Sequence, residues 1–172
     1  MKNTLIVYSS IDGHTKKIST KIAEYLSESS NVDLASLVEA KTLSLKNYHQ
    51  IIIGASIRYG NYRKDLFEFI EKNLDDLNEK ENAFFSVNVV ARKSEKNTAE
   101  SNPYVNKFLK TTKWKPKNLD VFAGVVDYPV YNFFDKFMIK LIMWITSGPT
   151  DTKARFEFTD WERVKGFAED LI

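Results

Sequence analysis

The chain has 172 residues, 25 Lys+Arg against 23 Asp+Glu, 43% apolar residues, six glycines, four prolines and no cysteine. That length suits one domain around a single large core, and so ordinary a composition excludes disordered, collagen-like and repeat architectures. Lack of cysteine excludes disulfide frameworks, thiol nucleophiles and thiolate metal sites; two distant histidines, His14 and His49, speak against a metal centre; and a net charge of +2 gives no global field for nucleic acid.

Lys2-Asn3-Thr4 leads straight into the first expected strand, residues 4–8, so this stretch reads as fold and not as a secretion signal. Leu5-Ile6-Val7-Tyr8 is apolar and partly β-branched, as a strand covered on both faces should be. A helix is expected over residues 16–27, with Ile18, Ile22, Tyr25 and Leu26 on one side and Lys16, Lys17, Lys21 and Glu24 largely on the other. Between them lies Ser9-Ser10-Ile11-Asp12-Gly13-His14-Thr15. A hydroxyl-rich turn entering a helix aims free amides and the positive dipole end at whatever sits there, which makes an anion site. An ordinary βα turn with a helix cap has the same composition. The loop lacks both Gly-x-x-x-x-Gly-Lys-Ser/Thr and Gly-x-Gly-x-x-Gly. Phosphate would be held by the Ser9, Ser10 and Thr15 hydroxyls and by main-chain amides with no lysine clamp, which favours a terminal monophosphate such as that of flavin mononucleotide (FMN).

Further strands are expected at residues 32–35, 50–54, 83–87 and 121–126, and helices at 64–74, 104–109 and 160–172. Residues 39–48 look too irregular for a helix, and Thr159-Asp160-Trp161-Glu162 reads as a capping box opening the last helix. Alternation of this kind gives an α/β fold: one domain over residues 1–172, a five-stranded doubly wound parallel sheet in the order 2-1-3-4-5, its ligand crevice at the carboxyl ends of the strands. Three loops then converge, residues 9–15, 56–62 and 88–93. Tyr59 is a stacking candidate or a partly exposed loop tyrosine; Asn88 bonds a polar ring edge or shapes its loop.

Residues 128–152 form an insertion before the last helix. In it, Phe133-Phe134-Asp135-Lys136-Phe137-Met138-Ile139-Lys140-Leu141-Ile142-Met143-Trp144-Ile145 is apolar around most of its circumference, with Lys136 and Lys140 one turn apart. A helix of this length reaches about 21 Å against roughly 30 Å of hydrocarbon, so it does not span a bilayer. It suits an interfacial position, a buried helix on the sheet, or half of a homodimer contact.

Gly54-Ala55-Ser56-Ile57-Arg58-Tyr59-Gly60, Ser86-Val87-Asn88-Val89-Val90-Ala91-Arg92-Lys93 and Asp135-Lys136-Phe137-Met138-Ile139-Lys140-Leu141-Ile142-Met143 resemble the flavodoxin-like protoporphyrinogen oxidases, also called menaquinone-dependent protoporphyrinogen IX dehydrogenases. The resemblance runs over essentially the whole chain. It implies a flavodoxin fold binding FMN, at the inner face of a bacterial cytoplasmic membrane. It also implies removal of six electrons from protoporphyrinogen IX in haem synthesis, with menaquinone or ubiquinone as acceptor. Carried onto this sequence, the cofactor site comprises Ser9, Ser10, Ile11, Asp12, Gly13, His14 and Thr15, then Ser56, Ile57, Arg58, Tyr59 and Gly60, then Ser86, Val87, Asn88, Val89, Val90 and Ala91. Electron-carrier flavodoxins place threonine where Asp12 stands, so its carboxylate is expected to turn outward or cap the helix. The loop after strand four lacks a covering aromatic, which leaves one ring face open.

For the substrate, Arg58 and Arg92 suit two propionates, while Phe133, Phe137 and Met138 suit a porphyrin- or quinone-sized apolar surface. Arg63, Lys64, Lys93 and Lys96 thicken the positive patch or simply face solvent. No acid or base is singled out: Tyr59, Asn88, His14 and solvent stand level. Other readings are a nicotinamide-driven FMN quinone reductase, a one-electron flavodoxin carrier, and a flavin-free docking module.

Overall fold

The computed structural model describes residues 1–172. Five strands form: β1 (Lys2–Ser9), β2 (Ser30–Ser36), β3 (Gln50–Ser56), β4 (Glu81–Val87) and β5 (Asn118–Phe122), all but the polar edge strand β2 built on β-branched or aromatic residues. They make one parallel sheet in the order β2-β1-β3-β4-β5, as expected. Helices follow in chain order: α1 (His14–Leu26), α2 (Leu37–Ala40), α3 (Lys64–Lys72), α4 (Leu74–Glu79), α5 (Pro103–Thr111), α6 (Phe133–Ile145) and α7 (Trp161–Glu169).

Successive strand residues point to opposite faces, so each apolar run feeds two cores. Leu5, Val7, Ile51, Ile53 and Phe84 pack with Leu66, Phe69 and Ile70 of α3, Phe108 of α5 and Trp114. Ile6, Ile52, Phe85 and Phe122 pack with Ile18, Ile22 and Leu26 of α1 and with Val164 and Phe167 of α7. All three loops of interest leave the carboxyl end of the sheet, from its interior strands β1, β3 and β4, with loop 9–15 at the point where strand order reverses.

Three expectations need correction. Residues 39–48 are more regular than their sequence suggests: Ser36 and Glu39 form a reciprocal capping box on α2, and a 3-10 turn follows at Leu45–Asn47. The fifth strand ends at Phe122 and not at residue 126. Asn88 N donates to the Phe122 carbonyl, Gly124 breaks the run, and its carbonyl instead accepts from Phe158 N at 3.0 Å. The chain then leaves the sheet as β6 (Val125–Asp127), antiparallel to β7 (Arg155–Glu157). The inserted segment hangs from this two-stranded ribbon. Finally, α7 is capped by Asp160, whose carboxylate accepts from Arg163 N at 3.1 Å. Thr159, expected at the cap, donates its hydroxyl to the Ala123 carbonyl at 2.8 Å.

Candidate functional site

A polar cavity opens where the three loops meet. Its wall includes Ser10, Asp12, His14 and Thr15 from the first loop, Ser56 and Ile57 from the second, and Val87, Asn88 and Val89 from the third, with Gly124 and Val125 below. Gly13 sits at φ 85° and caps α1 without a side-chain bond. Only glycine takes that left-handed angle without cost, so it turns the chain tightly into the helix. The first helical bond runs from Lys17 N to Gly13 O, so the amides of His14, Thr15 and Lys16 have no helical acceptor. Thr15 is only 1% exposed and lines the cavity. These donors suit a phosphate group.

Asp12 neither caps the helix nor turns away. Its carboxylate accepts from Arg58 Nη1 at 2.9 Å and from Nη2 at 3.3 Å, and the same guanidinium reaches Asp135 of α6 at 3.4 Å. Pairing with a guanidinium offsets the repulsion that a bare carboxylate would exert on an anion beside it. Arg58 also lies between the Tyr59 and Tyr131 rings, 5.6 and 5.4 Å from their centroids, inside cation–π range.

Residues Arg58 and Asn61 exchange both backbone bonds, at 3.0 and 3.1 Å, around Tyr59 (φ 49°) and Gly60 (φ 76°). Two consecutive left-handed residues define a hairpin-type turn, and a tyrosine there is strained. The turn presents Tyr59 toward α6, where its hydroxyl bonds the Asp135 carboxylate.

Beyond Arg58 the cavity becomes apolar. Ile57, Val89, Val90, Tyr104, Val125 and Val126 form its floor and sides, and Tyr131, Ile139, Ile142 and Met143 close it from the insertion. Of the expected site residues, Ser9, Ser86 and Ala91 lie buried behind the wall, and Gly13 is exposed on the turn beside it. The Ser9 carbonyl accepts from Ser56 Oγ, and the Ser86 hydroxyl accepts from Tyr62 and Asn88. Asn88 is chiefly a loop former: it is 3% exposed, its oxygen accepts from Ala91 N, and it exchanges amide bonds with Asn102.

The expected substrate residues are corrected more sharply. Arg92 points away from both cavities and donates to Val89 O at 3.0 Å and to Thr146 O at 2.8 Å, pinning the end of α6. Burial holds its pKa below the ordinary arginine value. Phe133 and Phe137 are 89% and 59% exposed on the outer face, and Met138 also stays off the cavity wall, where Ile139, Ile142 and Met143 stand instead. The helical period puts Ile139, Ile142 and Met143 on one side, but sequence alone does not say which side faces the sheet. Arg92→Ala is expected to cost about 1–3 kcal/mol locally by leaving two carbonyls without their charged donor. Faster hydrogen exchange of the amides at 142–148, with the sheet unchanged, is the measurement that checks it.

His14 is 8% exposed, with Trp161 edge-on at 6.1 Å and its Nε2 2.6 Å from Thr159 Oγ1. Burial holds its pKa below the usual histidine value, and this effect outweighs the opposing pull of Glu157.

Residues 5–153 match the family model described as "Flavodoxin domain", and the chain belongs to that family. Oxidised flavodoxin 1 from Bacillus cereus shares the fold, with a TM-score of 0.52 at 14% identity, covering 98% of this chain and 96% of that one. Within the family the chain belongs to the protoporphyrinogen IX dehydrogenases (quinone). It is 43% identical over 169 residues to the protein of that name from Escherichia coli (strain K12), covering 98% of this chain and 93% of the relative. It is 41% identical to the Leishmania major protein of the same name, covering 97% of this chain and 73% of that one.

Proposed function

We propose that this protein binds FMN and oxidises protoporphyrinogen IX to protoporphyrin IX in haem synthesis, with a quinone, in particular menaquinone, as acceptor. The observation that carries this reading is one continuous crevice whose amide- and hydroxyl-lined end passes into an apolar end roofed by α6. Relatives of the same name at 43% identity, matched over almost their whole length, support it.

In this reading the helix start and Thr15 hold the phosphate, and the Arg58 turn and the loop at Asn88 flank the ring. FMN, when bound, supplies the reversible two-electron redox chemistry. The overall balance is one porphyrinogen and three quinones giving one porphyrin and three quinols, six electrons and six protons in all. Residues of the chain supply orientation and exclude water. Ile57, Val89, Val125, Val126 and Met143 keep the ring end dry, and Arg58, its side chain 19% exposed, is the cation on the wall of both cavities.

The exposed apolar face of α6, with Lys136 and Lys140, supports peripheral attachment to the cytoplasmic face of a bacterial membrane, where quinones reside. No helix is long and apolar enough to cross a membrane. Anaerobic mixing with protoporphyrinogen IX and a menaquinone analogue tests the activity, because porphyrin fluorescence must rise above the enzyme-free control. No rise defeats the reading.

The Asp12 pair gives a second test. Arg58→Ala leaves a bare carboxylate beside the phosphate, and FMN affinity should fall roughly tenfold, the equivalent of about 1.4 kcal/mol. Asp12→Asn in the same chain should restore it. Flavin titration checks both, and equal affinity in all three proteins refutes the pairing argument.

A further inference from the structure

The Thr159 hydroxyl carries one proton, and that proton goes to the Ala123 carbonyl at 2.8 Å. Thr159 Oγ1 can therefore only accept from His14, so Nε2 is the protonated ring nitrogen in the 2.6 Å contact. This fixes the ring and leaves Nδ1 as the position where a further proton is gained or lost. His14 is the first residue of α1, lines the polar cavity beside Thr15, and is 8% exposed. It is thus a buried imidazole built into the anion cradle with one nitrogen held in reserve.

The charged groups around it are few. Lys17 lies on the same helix, Glu157 and Arg155 on β7, and Asp12 and Arg58 on the cavity wall. Lys17 and Arg155 both oppose a positive ring, Glu157 favours one, and Arg58 is already paired with Asp12. Glu157 is itself engaged by Arg155 at 2.7 Å and by the Trp161 indole at 3.0 Å. With the cradle empty, little beyond Glu157 holds a proton on Nδ1, and burial works against it. A phosphate dianion beside the ring reverses that balance.

We infer that His14 is a proton-coupled anchor for the FMN phosphate: Nδ1 takes up a proton as the dianion enters, with Thr159 holding the ring in place. This rests on the FMN reading and adds to it a specific linkage. The sign follows directly. A group whose pKa is higher in the complex than in the free protein binds a proton on association, so affinity grows as pH falls toward the free value. Phosphate monoesters lose their own dianionic form near pH 6, so the informative window lies above about pH 6.5.

The experiment is calorimetric titration of the flavin-free protein with FMN and with riboflavin, in two buffers of different ionisation enthalpy, between about pH 6.5 and 8. Wild type should take up a fraction of a proton with FMN and bind it about two- to threefold more tightly at the lower pH, a value set by a pKa rise on the order of one unit from a free value below the usual one. Riboflavin, which lacks the phosphate, should show neither effect, and H14Q should bind FMN with a flat profile. FMN binding without proton uptake in wild type, or unchanged uptake in H14Q, overturns the histidine coupling while leaving the FMN reading intact. Failure of both flavins to bind at every pH overturns the FMN reading and the coupling with it.

Discussion

Gly54→Ala is expected to destabilise the protein by about 3 kcal/mol, the upper part of the range for overpacking a well-filled core and a large share of a typical domain's stability. Gly54 lies in the centre of the sheet, paired with Tyr8 of β1 and Phe85 of β4. A Cβ built there would stand 2.1 Å from Phe85 Cζ, with two further ring atoms at 2.5 and 2.6 Å. The ring is fully buried and so cannot swing into solvent. Phe122 and Phe167 flank it at 5.5 and 6.0 Å between centroids, and those two rings pack on each other at 5.6 Å. The strands themselves are held by ladders on both sides. Chemical denaturation should show a lower midpoint with an unchanged slope. Combining the substitution with Phe85→Leu should recover part of the loss, since the shorter side chain vacates the space. If Gly54→Ala alone unfolds at the wild-type midpoint, the close packing of ring on glycine is wrong. The result also separates two roles within Gly54-Ala55-Ser56-Ile57-Arg58-Tyr59-Gly60, because its first residue serves the core and the turn at Arg58–Asn61 serves the site.

How much of this was legible in the sequence depends on the range of the forces involved. Strand order, the two-faced core and the convergence of three loops follow from local apolar periodicity and chain handedness, which short windows carry. The end of β5 was not legible. Val121-Phe122-Ala123-Gly124-Val125-Val126 is evenly apolar, and the break depends on Phe158, 34 residues beyond Gly124, taking its carbonyl. The role of Arg92 is hidden for a related reason. A cation at a strand end looks ligand-facing until the partner at Thr146 is placed, and that contact spans 54 residues. Asp12 was legible as an anomaly but not in its solution, since Arg58 lies 46 residues away. Met143 is within reach of suspicion from the apolar run that carries it and Tyr131 from its place just before that run, yet which side of α6 faces the sheet depends on tertiary contacts.

The second large effect is expected on the outer face of α6. Replacing Phe133, Phe137 and Trp144 together by serine should weaken binding to vesicles containing anionic phospholipid by at least about 100-fold. The three side chains are 89%, 59% and 71% exposed, and within this 13-residue helix only Met143 is buried. So apolar an exposed surface is of the kind that docking faces present. Full burial of a large apolar side chain is worth about 1.5–3 kcal/mol, so even half-insertion of three gives roughly 3 kcal/mol, two orders of magnitude in partitioning. Lys136 and Lys140 add on the order of 1 kcal/mol each near anionic headgroups, and only that share should fade with salt. The fold should survive, because the inner contacts of Tyr131, Ile139 and Met143, the Arg92 clamp on Thr146 and the Asp135 contacts with Arg58 and Tyr59 are untouched. Removing residues 130–146 outright would also strip buried Tyr131 and Met143, so it confounds docking with stability. Vesicle sedimentation reads the partitioning, and flavin titration confirms that the cofactor site is intact. Sedimentation velocity without lipid separates the competing occupant, since a face used between two copies would show a wild-type dimer that the triple variant dissolves. Undiminished vesicle binding by the variant would remove α6 as the membrane contact.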